Sequence, residues 1–357
     1  MTIFSSRRGR MAAALAGIAV SALALSACAG SSDSDSGSTD AATDELISDI
    51  TIQLSWIKNE EFAGEFFADS NGYYTDAGFS SVTLVPGPST SAPELISGTA
   101  DFGLSDAVST GAVVASEGAP LKIIGTTYQK NPFTILSLAD GGNIATVEDM
   151  IGKKIGIQDS NTALFTAFLS ANGLTTDDVE IVPVQYDPAP LTNGEVDGFM
   201  AYLTNEALIV AAEGFDTVNL PFADNGLPFS AETFVTTDDM IANHPSTVKA
   251  FLLAEIRGWT DLVNDPAEGA RLAYEVYGAD LGLDPALSEE GSFAQVDLIV
   301  TDETLANGLF TISDELQEAT IASLAGAGIV LTAADLFDLT LLNEVYAENP
   351  DLIDFMG

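Results

Sequence analysis

The chain has 357 residues, 53 of them acidic and 11 basic, so its formal net charge is −42 at pH 7. This imbalance excludes nucleic acid as a partner, because phosphate binding needs basic patches. An apolar content of 46% is typical of a folded protein, and the length suffices for two domains. Because one cysteine cannot form an internal disulfide, core packing alone must hold the fold.

The N-terminal segment has the pattern of an export signal. Arg7, Arg8 and Arg10 precede an uncharged stretch over 11–27, which ends in small residues directly before Cys28. The stretch is too short and too rich in alanine for a membrane-spanning helix. The last three residues of the stretch together with Cys28, Leu-Ser-Ala-Cys, resemble the lipobox of bacterial lipoproteins. We therefore predict a lipoprotein signal peptide over 1–27 and lipidation of Cys28. A plain secretory signal is the alternative, and either Sec or twin-arginine export is open.

Residues 28–47 are predicted to be a flexible tether, because small and polar residues dominate them. All 53 acidic residues follow Cys28, whereas three of the 11 basic residues precede it. Electrostatic adhesion to an anionic membrane is therefore disfavoured, and the lipid must hold the protein. We expect a lipid-anchored protein on the extracytoplasmic side of the cell membrane.

Beyond the tether, strands and helices alternate in two successive units. The first unit has predicted strands at 50–54, 81–85 and 121–126 and helices at 61–71 and 93–98. The second has strands at 154–157, 179–184 and 198–202 and helices at 161–172 and 190–193. A strand at 233–236 follows, and then helices at 245–263, 267–277, 302–309, 314–325 and 336–346. This order predicts an α/β fold with mainly parallel sheets.

The two units share an approximate internal repeat. Gly98–Asp101 is followed by Ser105-Asp106-Ala107, and Gly194–Asp197 is followed by Asn205-Glu206-Ala207. In each case a Gly-x-x-Asp turn leads into a strand and then into a polar, acidic and alanine triplet. Ligands of open α/β sheets bind beyond the carboxyl ends of strands, so we expect these triplets to face a cleft between two lobes. Chance similarity is the alternative.

Several segments carry a family resemblance that runs from about residue 50 to 265. They are Trp56-Ile57-Lys58-Asn59 with Phe62-Ala63-Gly64, Gly72-Tyr73-Tyr74 with Gly78-Phe79, the two triplets above, Tyr202, and Gly258-Trp259. In this order they resemble the solute-binding proteins of ABC importers. The similarity is to the NMT1/THI5-like group and its aliphatic-sulfonate-binding relatives.

The resemblance implies a type II periplasmic-binding-protein fold, in which two α/β lobes close on a ligand. Lobe 1 would comprise 48–130 and return over 231–357 with the C-terminal helices, and lobe 2 would comprise 131–230. The crossovers are expected within 126–132 and 228–233. The implied partners are a small-molecule solute and an ABC permease with its ATPase. We expect a monomer that needs no cofactor.

The candidate ligand-binding residues lie in these segments. They are Trp56, Asn59, Phe62, Ser105, Asp106, Asn161, Thr162, Tyr186, Tyr202, Asn205 and Glu206. The Trp and Tyr rings can stack on an aromatic ligand, and the Asn amides suit the edge of a heterocycle. Glu206 can pair with a ring amino group, whereas the helix start at Asn161 and Thr162 can contact an anion. The structural alternatives are core packing for the aromatic rings, loop capping for Asn, and a solvated surface acid for Glu206.

These residues favour a receptor over an enzyme. His244 is the only histidine, and the chain has no nucleophile elbow, P-loop or metal-ligand set. Pyrimidine-binding relatives often carry His where this chain has Phe62, and Pro where it has Ala207. We expect a receptor for a heteroaromatic nutrient such as a thiamine pyrimidine precursor, formylaminopyrimidine or hydroxymethylpyrimidine. Riboflavin and an aliphatic sulfonate are alternative ligands. A THI5-like pyrimidine-synthesis enzyme and an adhesion or sensing protein are alternative functions.

Overall fold

A computed structural model describes residues 44–87 and 89–357. The predicted signal peptide, Cys28 and most of the tether lie outside the described residues. No helix in the described part is long and apolar enough to cross a membrane. The described strands are β1 Asp49–Gln53, β2 Ser81–Val85, β3 Phe102–Ser105, β4 Leu121–Tyr128, β5 Phe133–Leu138, β6 Lys154–Gln158, β7 Glu180–Val184, β8 Gly198–Tyr202, β9 Thr217–Pro221 and β10 Ala231–Thr237.

The strands form two five-stranded sheets with the same arrangement. The first sheet has the order β2-β1-β3-β10-β4, and the second has the order β7-β6-β8-β5-β9. In each sheet the first three strands are parallel, whereas the fourth pairs antiparallel with both its neighbours. The fourth strand is the one that enters its sheet from a crossover. The chain is therefore an α/β protein of two lobes joined by two crossover segments.

Helices cover the two sheets. They are α1 Ala63–Ser70, α2 Tyr73–Asp76, α3 Ala92–Ser97, α4 Ala107–Glu117, α5 Thr162–Ala171, α6 Ala189–Thr192, α7 Glu206–Ala212, α8 Asp238–Asn243, α9 Pro245–Asn264, α10 Pro266–Arg271, α11 Pro285–Ile299, α12 Asp302–Asn307, α13 Asp314–Gly326, α14 Ala333–Leu336 and α15 Thr340–Glu348. Several starts follow capping chemistry that is visible in the sequence. Asp106, Thr237 and Asp284 each accept a hydrogen bond from a backbone N–H in the first turn of the following helix.

The elements differ from the predicted ones in a few places. The predicted helix over 61–71 begins with a separate 3-10 turn, Glu60–Phe62, before α1. The predicted helix over 267–277 starts as α10 and continues as a wider π-helical turn. The sequence patterns also missed β5, β9, α2, α4, α7, α8 and α11, and the predicted helix over 336–346 is observed as α15, which follows the separate α14. The apolar run of β5 has no alternation because both faces of this central strand are covered, and residues 133–137 are all buried.

Helices α1 and α9 approach each other closely because glycines lie at their contact. A Cβ built on Gly64 would lie only 2.3 Å from ring atoms of Trp259, and one built on Gly258 would overlap the carbonyl oxygen of Gly64. Trp259 is fully buried at this crossing. The Gly258-Trp259 pair of the sequence pattern therefore has a packing role at some distance from the cleft.

We expect Gly64→Ala to lower the free energy of unfolding by about 1–3 kcal/mol, because the added methyl group must displace the Trp259 ring. Urea denaturation measures the change. Gly326→Ala is the matched control, since that glycine has negative φ and nothing near its Cβ position. The control should be neutral or slightly stabilising. Equal stability of the two variants would contradict the proposed tight helix contact.

Candidate functional site

A central pocket lies where the two lobes meet and comprises about 540 Å³ of space, its opening included. The loop after β1 contributes Ser55 and Trp56, and the turn after β3 contributes Ser105 and Asp106. Tyr202, at the end of β8, faces them from the second lobe. The pocket therefore lies at the carboxyl ends of parallel strands, as is usual for ligands of open α/β sheets.

Most of the predicted ligand-binding residues line this pocket. They are Trp56, Ser105, Asp106, Asn161, Tyr202, Asn205 and Glu206. Asn59 and Tyr186 line an adjoining space, and Thr162 and Tyr186 line a shallower groove beside Trp56. Tyr186 is 45% exposed and packs edge-on against Trp56, with ring centroids 6.2 Å apart. The structure thus brings both polar-acidic triplets of the internal repeat into one site.

Phe62 does not belong to the site. Its side chain is fully buried in the main hydrophobic core, and it lines none of the cavities in the described part of the chain. The 3-10 turn Glu60–Phe62 explains this placement. Its successive side chains point in different directions, so that Glu61 reaches the pocket while Phe62 joins the core.

Several residues of the pocket were not predicted. They are Ser55, Glu61, Ser89, Thr90, Phe133, Gln158, Ser160, Met200, Ala201 and Glu232. Glu61 lies two residues from Asn59, so the neighbouring motif could have suggested it. Glu232 lies in the predicted crossover 228–233, but its sequence context gives no sign that its side chain is buried.

Glu232 connects the two lobes. Its carboxyl group accepts hydrogen bonds from Ser55 Oγ of the first lobe and from Tyr202 Oη of the second, each at 2.8 Å. Glu61 lines the same pocket, and its carboxyl group and that of Glu232 influence each other's pKa. The backbone of Glu232 has φ of 47°, a left-handed conformation that is uncommon outside glycine. A buried carboxyl group in a strained conformation thus marks the point where the second crossover enters β10.

Glu206 begins α7 and is only 5% exposed. One carboxylate oxygen accepts the backbone N–H of Tyr202 at 2.8 Å, which fixes the side chain at the pocket wall. Burial raises the pKa of Glu206 to about 7, although this hydrogen bond lowers it in part. Glu206 therefore changes its charge in the neutral range and is not a solvated surface acid.

Asp106 has two roles in the structure. It caps α4 by accepting the backbone N–H groups of Val108 and Ser109, each at 2.8 Å, and it also lines the pocket. Burial raises its pKa despite these hydrogen bonds. Ser105, next to it, is buried and its hydroxyl oxygen has no hydrogen-bond partner within the described residues.

The pocket is acidic and lacks compensating charge. Glu61, Asp106, Glu206 and Glu232 line it, and no Lys, Arg or His is present among the described lining residues. Burial and the nearby Glu232 charge raise the pKa of Glu61 well above its usual range. Such a site repels small anions and favours N–H donors, which can bond to carboxylate oxygens.

Aromatic rings supply the apolar surface of the pocket. Trp56 lies at one side, and Phe133 packs edge-on against Tyr202 with ring centroids 4.5 Å apart. Gln158 is held by donating its side-chain amide to the carbonyl oxygen of Met200 at 2.9 Å. A flat ligand can therefore contact aromatic side chains while its edge meets carboxyl and amide groups.

A second pair of buried carboxyl groups lies deeper in the first lobe. Glu65 on α1 and Glu255 on α9 are both fully buried, and Tyr74 donates its hydroxyl to Glu255. Burial raises the pKa of Glu255 to about 8 and that of Glu65 well above its usual range. The interior of the first lobe therefore takes up protons on folding, as the pocket does.

Comparison with solved structures shows which fold the chain has. The alkanesulfonate-binding protein SsuA from Xanthomonas axonopodis pv. citri, bound to MOPS, superposes with a TM-score of 0.62 at 18% identity. The match covers 82% of this chain and 99% of that structure. The chain thus has the fold of the periplasmic solute-binding proteins of ABC importers.

Sequence comparison identifies the family. The NMT1/THI5 like family model matches residues 59–269, and the chain belongs to that family. The riboflavin-binding protein RibY of Chloroflexus aurantiacus is 25% identical over 302 residues, which are 81% of this chain and 84% of the relative. The 4-amino-5-hydroxymethyl-2-methylpyrimidine phosphate synthase of Schizosaccharomyces pombe is 27% identical over 233 residues, which are 61% and 67% of the two chains.

The raised pKa values predict that stability falls as pH increases. A carboxyl group that has a pKa of about 7 when folded and 4.5 when unfolded holds an extra proton in the folded state. Its destabilising effect therefore begins as pH rises past 4.5 and is complete above about 7. The free energy of unfolding of the wild type should fall between pH 5 and pH 8. We expect Glu206→Gln to remove about 2–3 kcal/mol of this fall, as measured by urea denaturation.

Glu213→Gln is the matched control, because Glu213 directly follows the same helix and is exposed. This variant should retain the pH dependence of the wild type. If Glu206→Gln also retained it, the carboxyl group of Glu206 would titrate normally in the folded protein.

Proposed function

We propose that this protein is the extracytoplasmic receptor of an ABC importer and captures a small heteroaromatic nutrient that carries amino or ring N–H groups. The acidic central pocket is the observation that carries this proposal. Glu206 and the Glu61–Glu232 pair offer oxygen atoms to N–H donors, and Trp56 and Phe133 offer apolar surface to a ring. Tyr202 belongs to the second lobe and Ser55 to the first, so a ligand between them favours closure of the lobes.

Two ring systems fit this chemistry. The aminopyrimidine of a thiamine precursor presents an exocyclic amino group, from which the carboxylate of Glu206 can accept a hydrogen bond. The flavin ring presents one ring N–H between two carbonyl groups, and the similarity to a riboflavin-binding protein supports its inclusion.

An aliphatic sulfonate fits less well, even though a sulfonate-binding protein shares the fold. The described lining of the central pocket contains four acidic side chains and no basic one. Asn161, at the start of α5, uses its amide to bond Gln158 at 3.0 Å. A sulfonate would therefore approach several carboxyl groups without a compensating cation.

The pyrimidine synthase among the relatives makes an enzyme the second candidate. The pyrimidine-binding pattern has a His where this chain has Phe62, and Phe62 lies in the core. The single histidine, His244, begins α9 and lines none of the described cavities. These observations support a receptor that releases its ligand unchanged.

Ligand binding is testable by thermal shift and calorimetry with hydroxymethylpyrimidine, formylaminopyrimidine, riboflavin and an alkanesulfonate. A ligand at 100 times its Kd should stabilise the folded protein by about 2.7 kcal/mol. We expect at least one of the heteroaromatic compounds to do so and the sulfonate to have no effect. Glu206→Gln should weaken binding about tenfold, a loss of about 1.4 kcal/mol, because it removes a charge-assisted hydrogen bond. Glu213→Gln should bind as the wild type does.

Three results would contradict the proposal. Binding of the sulfonate alone would reverse the assignment of ligand charge. Consumption of a bound pyrimidine would make the protein an enzyme. Wild-type affinity in Glu206→Gln would remove the proposed contact from the site.

The location is proposed from the sequence pattern at Cys28. Cys28→Ser should move the protein from the membrane fraction to the soluble exported fraction, because the lipid is the proposed anchor. Cell fractionation with immunoblotting measures the change, and Ser31→Ala is a control within the tether. A membrane-bound Cys28→Ser protein would show that something other than this lipid holds it.

A further inference from the structure

A second cavity adjoins the central pocket and comprises about 1030 Å³, its opening included. Trp56, Asn205 and Glu206 line both spaces, so the two adjoin each other at these side chains. We call the second space the side chamber. Its walls come from the 56–60 segment, from 186–188 and 204–209 of the second lobe, and from the start of α11 with the loop before it. The central pocket alone is therefore only part of the space between the lobes.

Asn59 is an unpaired polar residue in the wall of the side chamber. It is 2% exposed, and neither its amide nitrogen nor its amide oxygen has a hydrogen-bond partner within the described residues. It precedes the 3-10 turn but makes no side-chain capping bond there, so capping does not explain it. Buried amides are nearly always paired, because an unpaired one loses its bonds to water. The amide nitrogen and oxygen are themselves almost without exposed surface, so they would bind a hydroxyl or amine group once the side chain turns toward the chamber.

The charge of the side chamber limits what can occupy it. Glu60, Asp187, Glu206 and Asp284 line it, and its described lining contains no Lys, Arg or His. The carboxyl group of Glu60 is buried next to Ser288 of α11. A phosphate group would approach several carboxyl groups without a cation, whereas a hydroxyl or ammonium group would find acceptors.

We propose that the ligand has two parts, with the heteroaromatic ring in the central pocket and a hydroxyl- or amine-bearing chain in the side chamber. The chain is uncharged or cationic, and phosphate esters of the same compound are rejected. This inference rests on the proposed function and specifies its ligand class. The side chamber thereby admits the free nutrient and rejects its phosphate ester.

Two matched compound series test the inference by calorimetry. The flavin series is lumichrome, riboflavin and flavin mononucleotide, which present the ring alone, the ring with a polyol chain, and the chain with a phosphate. The pyrimidine series is hydroxymethylpyrimidine, thiamine and thiamine monophosphate. In the series whose ring binds, we expect the unphosphorylated chain to tighten binding at least tenfold relative to the ring alone. The phosphate ester should bind at least tenfold more weakly than its parent alcohol.

Variants connect this gain to the side chamber. Asn59→Leu keeps the approximate size of the side chain and removes its polar atoms, so the affinity gained from the chain should fall about fivefold. Leu208→Trp fills the chamber from α7 at a half-buried position and should remove most of the gain. Asn193→Leu, at an exposed position outside both spaces, should retain the wild-type ratio. A cooperative unfolding transition of each ligand-free variant shows that the variant is folded. If Asn59→Leu does not fold, Leu208→Trp provides the test.

The outcomes separate the two proposals. If a ring compound binds but its chain adds nothing, or if the phosphate ester binds as tightly as the alcohol, this inference is overturned and the proposed function stands. The inference is also overturned if Leu208→Trp keeps the full gain. If no compound of either series binds, the proposed function and this inference fall together.

Discussion

The burial of several carboxyl groups without a neighbouring cation is the constraint on which the site depends. Glu61, Asp106, Glu206 and Glu232 face one pocket, and the fold satisfies them with hydroxyl groups, backbone N–H groups and protons. A carboxyl group held in this way contributes little to the stability of the folded protein at neutral pH. Its ionised form loses its hydration and gains no opposite charge nearby. Carboxyl oxygen atoms in such a site can accept hydrogen bonds from N–H donors, whereas they repel a second negative charge.

The same constraint explains why a shared fold does not imply a shared ligand. The two sheets of this chain resemble those of a sulfonate-binding protein, although sequence identity to it is only 18%. The strand order positions the loops, and the side chains on those loops decide the charge of the cleft. Here Glu232 supplies a negative group at the crossover itself, where it contacts Ser55 and Tyr202 from opposite lobes.

The sequence predicted the two-lobed α/β fold and those site residues that follow the ends of strands, because both can be recognised from local patterns. The Gly-x-x-Asp turns and the triplets that follow them led to Asp106 and Glu206. Glu232 escaped prediction, because its position depends on a crossover and on a left-handed backbone that no neighbouring residue signals. Helix α11 escaped despite its capping Asp284, because small and polar residues such as Ser288, Gly291 and Ser292 form its buried face and leave no apolar periodicity.

The path of the chain through the sheets has a consequence for the order of folding. The second sheet is built from a continuous stretch, β5 to β9, and can be completed as soon as that stretch is available. The first sheet needs β10 between β3 and β4, and β10 follows the whole second lobe in the chain. As the chain emerges N-terminus first, β4 therefore has no strand partner until roughly a hundred further residues have followed it. Lobe 2 is the part that can fold first, although lobe 1 is the part that begins the chain.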